Sequence, residues 1–323
     1  MTKSPIHSFC LALLIVSLAA AVEPGQPSMT ALSAEIQRAV GFKNPDPALR
    51  NPDYFAEKFI GPRERAAFKS ALASLPNLPP GALDLDWDAM VERFVGKAGL
   101  DRHTARTKYF DDALLTALGD GDSQVVILGA GFDSRAYRFQ GALGGVRFFE
   151  VDYGPTQEYK KLRLKEILGS VPTYVRFVAM DFTKDDLLTE LRKAGYSERE
   201  RSLFVWEGVI GYLTETAVKD TLHFVRDHAA AGSTLAFNYT LSGDPAVNNP
   251  HTHYALWGEP RLFALPGANA GDFLRREGLE TFSDVSLTDL LKKYGLPIAE
   301  SDGRDRRFCL ARVAAKPGSA RSR

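Results

Sequence analysis

The sequence predicts an α/β fold: a Rossmann-like, doubly wound and mainly parallel sheet, preceded by a cap of helices. Three observations predict it. Strand-like and helix-like runs alternate from Gln124 onward. The first strand-like run, Val125-Val126-Ile127-Leu128, is apolar on both faces, as a parallel strand covered by helices on each side must be. A glycine-bearing turn opens directly after it at Gly129, where such folds admit a nucleotide-like ligand.

The elements follow in order. Ala31 to Val40 reads as a helix, and the clusters Asn44-Pro45-Asp46-Pro47 and Asn51-Pro52-Asp53 read as turns. Asp86 to Lys97 carries Trp87, Met90, Val91, Phe94 and Val95 at helical spacing, and a further helix is expected from Arg102 to Leu118. Strands are expected at 125–128, 147–151, 174–179, 202–206, 234–239, 280–285 and 307–313. Helices are expected at 153–168, 185–193, 215–228, 272–277 and 287–294. Residues 240–268 form a polar, turn-rich insert. The domain reading is a leader over 1–28, a helical cap over 29–118, an α/β body over 119–315 and a basic, Gly/Ser-bearing tail over 316–323.

Composition narrows the chemistry. A chain of 323 residues with 45% hydrophobic and 25% charged content builds a sizeable core without metal or disulfides. Forty basic residues balance forty acidic ones, so no overall field draws the molecule to nucleic acid or anionic lipid. The two cysteines, Cys10 and Cys309, form no framework, and the six histidines show no metal-ligand spacing. Small-molecule chemistry is favoured. The start has two readings. Lys3, the apolar run Phe9 to Val22 and the small residues before Glu23-Pro24-Gly25 describe a secretory signal, too short for a membrane span. Alternatively Met29 is the true start. The cofactor argued below favours a cytoplasmic location, with export as the alternative.

The strongest local signal is Leu128-Gly129-Ala130-Gly131-Phe132-Asp133-Ser134-Arg135. Glycine there lets backbone approach a ligand that a side chain would exclude. About twenty residues beyond Gly131, Asp152 ends the second strand, where a carboxylate accepts ribose hydroxyls. Ser134 occupies the third small position of the dinucleotide fingerprint, which disfavours a pyrophosphate at the helix start. Asp181 follows the third strand, placed to accept the exocyclic amine of adenine, and Glu207 follows the fourth, beside the expected reaction centre. Acidic residues at three neighbouring strand ends line one crevice. An anionic crevice suits a cationic sulfonium compound and repels a diphosphate. An NAD(P)-dependent oxidoreductase, which would share Gly129 and Gly131, is the first alternative; a non-catalytic cofactor-binding module is the second.

The segments Thr104-Ala105-Arg106-Thr107, Gly129 to Arg138, Phe149-Glu150-Val151-Asp152 and Glu207-Gly208-Val209-Ile210-Gly211-Tyr212-Leu213 resemble the leucine carboxyl methyltransferase family, and within it the bacterial branch, over roughly residues 45–313. The resemblance implies a class I methyltransferase fold of seven strands with the last antiparallel, and S-adenosyl-L-methionine as cofactor. It implies that Arg106 grips the cofactor's carboxylate and that Gly129, Gly131 and Asp133 shape its methionine pocket. Asp152 would hold the ribose, Asp181 and Phe182 would read the adenine, and Glu207 would lie near the methionine moiety. No metal is implied. The acceptor does not carry over from the resemblance; the expected reaction is methylation of a carboxylate or hydroxyl on a small-molecule or peptide acceptor, with Tyr212, five residues past Glu207, placed to orient the acceptor oxygen. His103 is expected on the helix surface, His251 and His253 in a loop, and Arg135 and Arg138 as anchors of the first helix. Gly258-Glu259-Pro260 resembles a bacterial-branch motif, but the spacing assigns it no role.

Overall fold

The computed structural model describes residues 27–142, 144–182, 184–300, 302 and 306–315. The leader expected over 1–28 lies outside the described residues apart from 27–28, and the tail expected over 316–323 lies wholly outside them. Five helices come first: α1 (Met29–Phe42), α2 (Ala56–Phe59), α3 (Pro62–Ala73), α4 (Trp87–Val95) and α5 (Lys97–Gly119). The α/β body then runs β1 (Gln124–Leu128), α6 (Arg135–Arg138), β2 (Arg147–Asp152), α7 (Gly154–Leu168), β3 (Val175–Ala179), α8 (Leu187–Lys193), β4 (Ser202–Trp206), α9 (Glu215–His228) and β5 (Thr234–Thr240). It closes with α10 (His253–Leu256), α11 (Gly271–Arg276), β6 (Glu280–Ser286), α12 (Leu287–Lys293) and β7 (Arg306–Arg312).

The seven strands form one sheet in the order β3-β2-β1-β4-β5-β7-β6. β3, β2, β1, β4 and β5 pair in parallel, and β7 runs antiparallel to both β5 and β6. The strand order reverses beside β1, with β2 on one side and β4 on the other. That reversal opens a crevice at the carboxyl ends of these strands.

The pleat sorts residues between two cores, because successive side chains leave a strand on opposite faces. Val125 and Ile127 of β1, with Leu203 and Val205 of β4, pack with Leu32, Ile36, Phe110 and Leu114 of the cap. Val126 and Leu128, with Phe204 and Trp206, pack on the other face against Leu191, Val218, Leu222 and Val225 of α8 and α9. β1 and β4 are buried at all five positions, while the edge strand β3 is fully buried only at Val175 and Val178. The cap thus shares one core with the sheet.

Two departures from the expected elements concern the cap. The chain forms α2 and α3 between residues 56 and 73, within the expected helical cap but where no individual helix was placed. Pro62 sits in the first turn of α3, where its missing N–H is harmless, and the Glu64 carboxylate accepts from the Gly61 N–H at 2.8 Å. α5 begins at Lys97, five residues earlier than expected, because Gly96 at φ +76° redirects the chain out of α4 straight into it. Among the described residues no helix is long and apolar enough to cross a membrane.

Candidate active site

Every residue singled out for chemistry faces one cavity. Arg106, Gly129, Gly131, Asp133, Asp152, Asp181, Phe182, Glu207 and Tyr212 all line a space of about 430 Å³ at the carboxyl ends of β1, β2, β3 and β4. α1, α5 and the 240–268 segment close it from above. This size lies within the range of small-molecule sites.

The loop after β1 builds the floor. Gly129 and Ala130 both donate to the Val151 carbonyl, at 2.8 and 3.0 Å, which turns the chain sharply off the strand. Gly129 has φ +69°, and a Cβ there would lie 2.3 Å from Val209 Cγ2. Two loops from neighbouring strands therefore touch across this glycine. Lys160 of α7 donates to the Asp133 carbonyl at 2.7 Å and pairs with buried Glu150 at 2.6 Å, fixing the far side of the loop.

Asp152 ends β2 beside that floor. Its Oδ2 accepts from the Gly131 N–H, and its Oδ1 accepts from Tyr153 N–H at 2.6 Å. The N-cap of α7 is Tyr153, without a side-chain cap, so Asp152 does not serve as a helix cap. Burial pushes its carboxyl up to about 6, against the lowering effect of the two backbone donors. Each carboxylate oxygen keeps a lone pair for a further donor. Asp181 pairs with Lys184 at 2.9 Å, and the cap of α8 is Asp186, not Asp181.

Glu207 departs most from expectation. Rather than adding bare negative charge to the crevice, it sits in a buried cluster of ion pairs. Its Oε1 accepts from Arg38 Nη2 at 2.7 Å and Arg106 Nε at 2.8 Å, and its Oε2 from Arg135 Nη1 at 2.8 Å. Burial opposes its charge, but Arg135, Arg38 and Arg106 outweigh that and hold the carboxyl far below its usual range. The expected anionic crevice is corrected accordingly. The acids Asp133, Asp152, Asp181, Glu207 and Glu259 line the cavity together with Arg38, Arg102, Arg106 and Arg306. The lining is close to balanced. Asp133 likewise turns its carboxylate to Arg135.

The cluster continues behind the cavity. Arg135 meets Asp111 at 2.9 Å, and Arg138 meets Asp111 at 2.8 Å and Asp53 at 3.3 Å, so both arginines anchor the start of α6. Glu35 of α1, wholly buried, accepts from Arg38 at 2.8 Å. Burial, reinforced by nearby Asp53, pushes its carboxyl up to about 8 despite Arg38. With Glu35 neutral, Arg38, Arg106, Arg135 and Arg138 face Asp53, Asp111, Asp133 and Glu207, four against four. The folded chain holds the Glu35 proton up to about pH 8, whereas an ordinary glutamate releases it near 4.5. Stability from this group is full below 4.5 and is lost as pH rises through 8. Glu35→Gln is expected to flatten the fall of the thermal midpoint between about pH 5 and about pH 8. A variant as pH-sensitive as the wild type would show that Glu35 is ionised in the fold.

Three histidine and motif expectations are revised. His103 does not lie on an outer helix surface: it lines the cavity, and its Nδ1 is buried without a hydrogen-bond partner. Burial, then Arg106 and Arg38, hold its ring well below the ordinary histidine range, so it is neutral. His253 begins the short helix α10 and also lines the cavity, while His251 is exposed. Glu259, whose motif had no assigned role, fastens the start of α1: it accepts from Ser28 Oγ at 2.6 Å, Thr30 Oγ1 at 2.5 Å and Thr30 N–H at 3.2 Å. Tyr212 lies in the single turn Ile210–Tyr212, its ring 6.1 Å from that of Tyr254. Burial raises its hydroxyl well above the ordinary tyrosine value, which makes it a hydrogen-bond donor rather than a base.

Arg38, Glu35 and Arg306 were not singled out from the sequence. For Glu35 a signal existed. It falls between Leu32, Ile36 and Ala39 at core positions of a helical stripe, where a charge must find a buried partner.

With this geometry established, comparison with known proteins gives a consistent result. The model of the family described as Leucine carboxyl methyltransferase matches residues 31–226. A protein of Mycolicibacterium gilvum, carried under the name of a candidate S-adenosyl-L-methionine-dependent methyltransferase, is 30% identical over 289 residues, covering 84% of this chain and 90% of that one. A similarly named protein of Mycobacterium tuberculosis H37Rv is 32% identical over 291 residues, covering 85% of this chain and 86% of that one. Among solved structures, a DUF574-family protein from Streptomyces avermitilis superposes with a TM-score of 0.51 at 16% identity, covering 87% of this chain and 97% of that one. That likeness concerns the fold.

Proposed function

The chain belongs to the leucine carboxyl methyltransferase family, and from that premise we propose that it transfers a methyl group from S-adenosyl-L-methionine to a carboxylate or hydroxyl oxygen of a small-molecule or peptide acceptor. The observation that carries this reading is the meeting of Gly129, Gly131 and Asp152 on one wall of a cavity with Arg106 on another. A glycine floor, a ribose-binding carboxylate and a guanidinium fit the three polar regions of that cofactor.

Under this reading Asp152 accepts the ribose hydroxyls with the lone pairs its backbone donors leave free. Asp181 and Phe182 receive the adenine, one by hydrogen bonding and the other by ring contact. Arg106 spends Nε on Glu207, and its two terminal nitrogens are left for the cofactor's carboxylate. Gly129, Gly131 and Asp133 shape the methionine pocket, and Glu207 acts there through the arginines it orients. When bound, S-adenosyl-L-methionine supplies an electrophilic methyl group on a cationic sulfur. The chain's own contribution is alignment and exclusion of water from the acceptor oxygen. Tyr212 donates a hydrogen bond that orients this oxygen. A carboxylate acceptor needs no base, whereas a hydroxyl gains from one. By this reading residues 29–118 are a cap on a catalytic body spanning 119–315, and 240–268 is its lid.

Calorimetric titration with S-adenosylhomocysteine and with NADH tests the reading; tighter binding of NADH would reverse it. Asp152→Ala is expected to weaken S-adenosylhomocysteine binding by about 1–3 kcal/mol, as loss of hydrogen bonds to a charged group does. An unchanged affinity would remove Asp152 from the ribose site.

A further inference from the structure

The cavity extends past the strand tips into a region walled by α4, α5, α10 and the first residue of β7. Phe94 and Val95 of α4 and His253 and Tyr254 of α10 make that wall apolar and aromatic. Phe94 and His253 meet edge to face with ring centres 5.7 Å apart, and His253 lies against Tyr254 at 3.9 Å. His103 and Arg306 face the same space and lie close enough to influence each other's charge.

The arginines of the cavity are not alike. Arg38 and Arg106 are tied to Glu207, and Arg102 pairs with Asp302 at 2.8 Å. Arg306 has no carboxylate within ion-pair distance among the described residues. Its side chain is exposed, yet the protein packed around its guanidinium, and then Arg102, disfavour its charge. A cation in this position is stabilised by an incoming anion, and a planar guanidinium matches a flat anionic oxygen group. His103, held neutral, adds no second positive charge beside it. The cofactor does not meet this need, because its one carboxylate goes to Arg106 in the function proposed above, on which this inference rests.

We propose that Arg306 is the specificity-determining residue of the acceptor site, holding an anionic oxygen group of an acceptor whose flat apolar body lies against Phe94, His253 and Tyr254. The aromatic wall selects the body by area and ring contact, and Arg306 selects the charge. Uncharged analogues of the same shape leave the guanidinium without a partner.

The test uses the full chain saturated with S-adenosylhomocysteine and a matched pair of probes, trans-cinnamate and the uncharged trans-cinnamamide, titrated calorimetrically. Cinnamate is expected to bind at least about tenfold more tightly than the amide, the discrimination that one charge-assisted contact supplies. R306Q is expected to abolish that preference and R306K to keep part of it, with S-adenosylhomocysteine affinity and thermal midpoint unchanged in both. Equal binding of the two probes, no binding of cinnamate at millimolar concentration, or a preference surviving in R306Q would each overturn the assignment. Failure of the wild-type chain to bind S-adenosylhomocysteine at all is a separate result, and would count against the methyl-transfer reading itself.

Discussion

Glu207→Ala is expected to cost the fold about 3–5 kcal/mol and to abolish cofactor binding, because it leaves buried guanidiniums without their shared counter-charge. The carboxylate joins Arg38 from α1, Arg106 from α5 and Arg135 from α6, each at 2.7–2.8 Å, and its own side chain is only 4% exposed. Removing one partner of a buried pair is far costlier than never having built it, since water cannot reach the orphaned charge. Arg135 retains Asp133 and Asp111, and Arg38 keeps a hydrogen bond to neutral Glu35, whereas Arg106 has no other ion-pair partner among the described residues. Arg106 is therefore the group expected to move, and its movement dismantles the proposed grip on the cofactor's carboxylate. Glu207→Gln keeps an acceptor oxygen and is expected to fall between wild type and alanine. Equilibrium denaturation measures the first effect and S-adenosylhomocysteine titration the second. An alanine variant within about 1 kcal/mol of wild type would mean that the cluster relaxes or admits water, and that Glu207 is not the counter-charge on which these arginines depend.

Gly129→Ala carries the next largest effect, from two additive sources. A residue with a Cβ held at φ +69° costs about 1–2 kcal/mol. The Cβ would also meet Val209 Cγ2 at 2.3 Å, and an overpacked contact of this kind costs about 1–3 kcal/mol. Relief requires the loops after β1 and β4 to part, and these loops form two walls of the cavity. Both a lower thermal midpoint and weaker S-adenosylhomocysteine binding are expected. The double variant Gly129→Ala with Val209→Ala separates the two sources, because it removes the clash and leaves the backbone strain. Partial recovery of the midpoint is the expected result; no recovery would show that the contact with Val209 is not what constrains this position.

These two sites differ in how legible they were. The glycine turn after an apolar run of four is a local pattern, and its consequence, a ligand-facing loop at the end of a buried strand, follows from strand burial and backbone freedom alone. Asp152 was legible for the same reason: it ends the next strand, and parallel pairing of Leu128 with Val151 sets it beside that turn. Glu207 was legible as a position but not as a partner. Its arginines lie 169, 101 and 72 residues away in the chain, on helices whose docking no spacing rule describes. His103 was misplaced because a helix exposes one face and buries another, and which face α5 turns to the cavity depends on α1, α4 and α12 packing around it.

From the chain alone came the alternation of strands and helices, the turn at Gly129, the acidic strand ends and the likeness to a methyltransferase family. All of these are carried by residues close together in sequence, where periodicity and turn chemistry operate. Folding in three dimensions decided the charge of the cavity, the neutral state of His103 and Glu35, the fastening of α1 by Glu259 and the placing of Arg306 in the cavity with Phe94, His253 and Tyr254. Those properties arise from burial and from charge pairs between distant segments, and electrostatic energy depends on separation in space and access of water rather than on order along the chain.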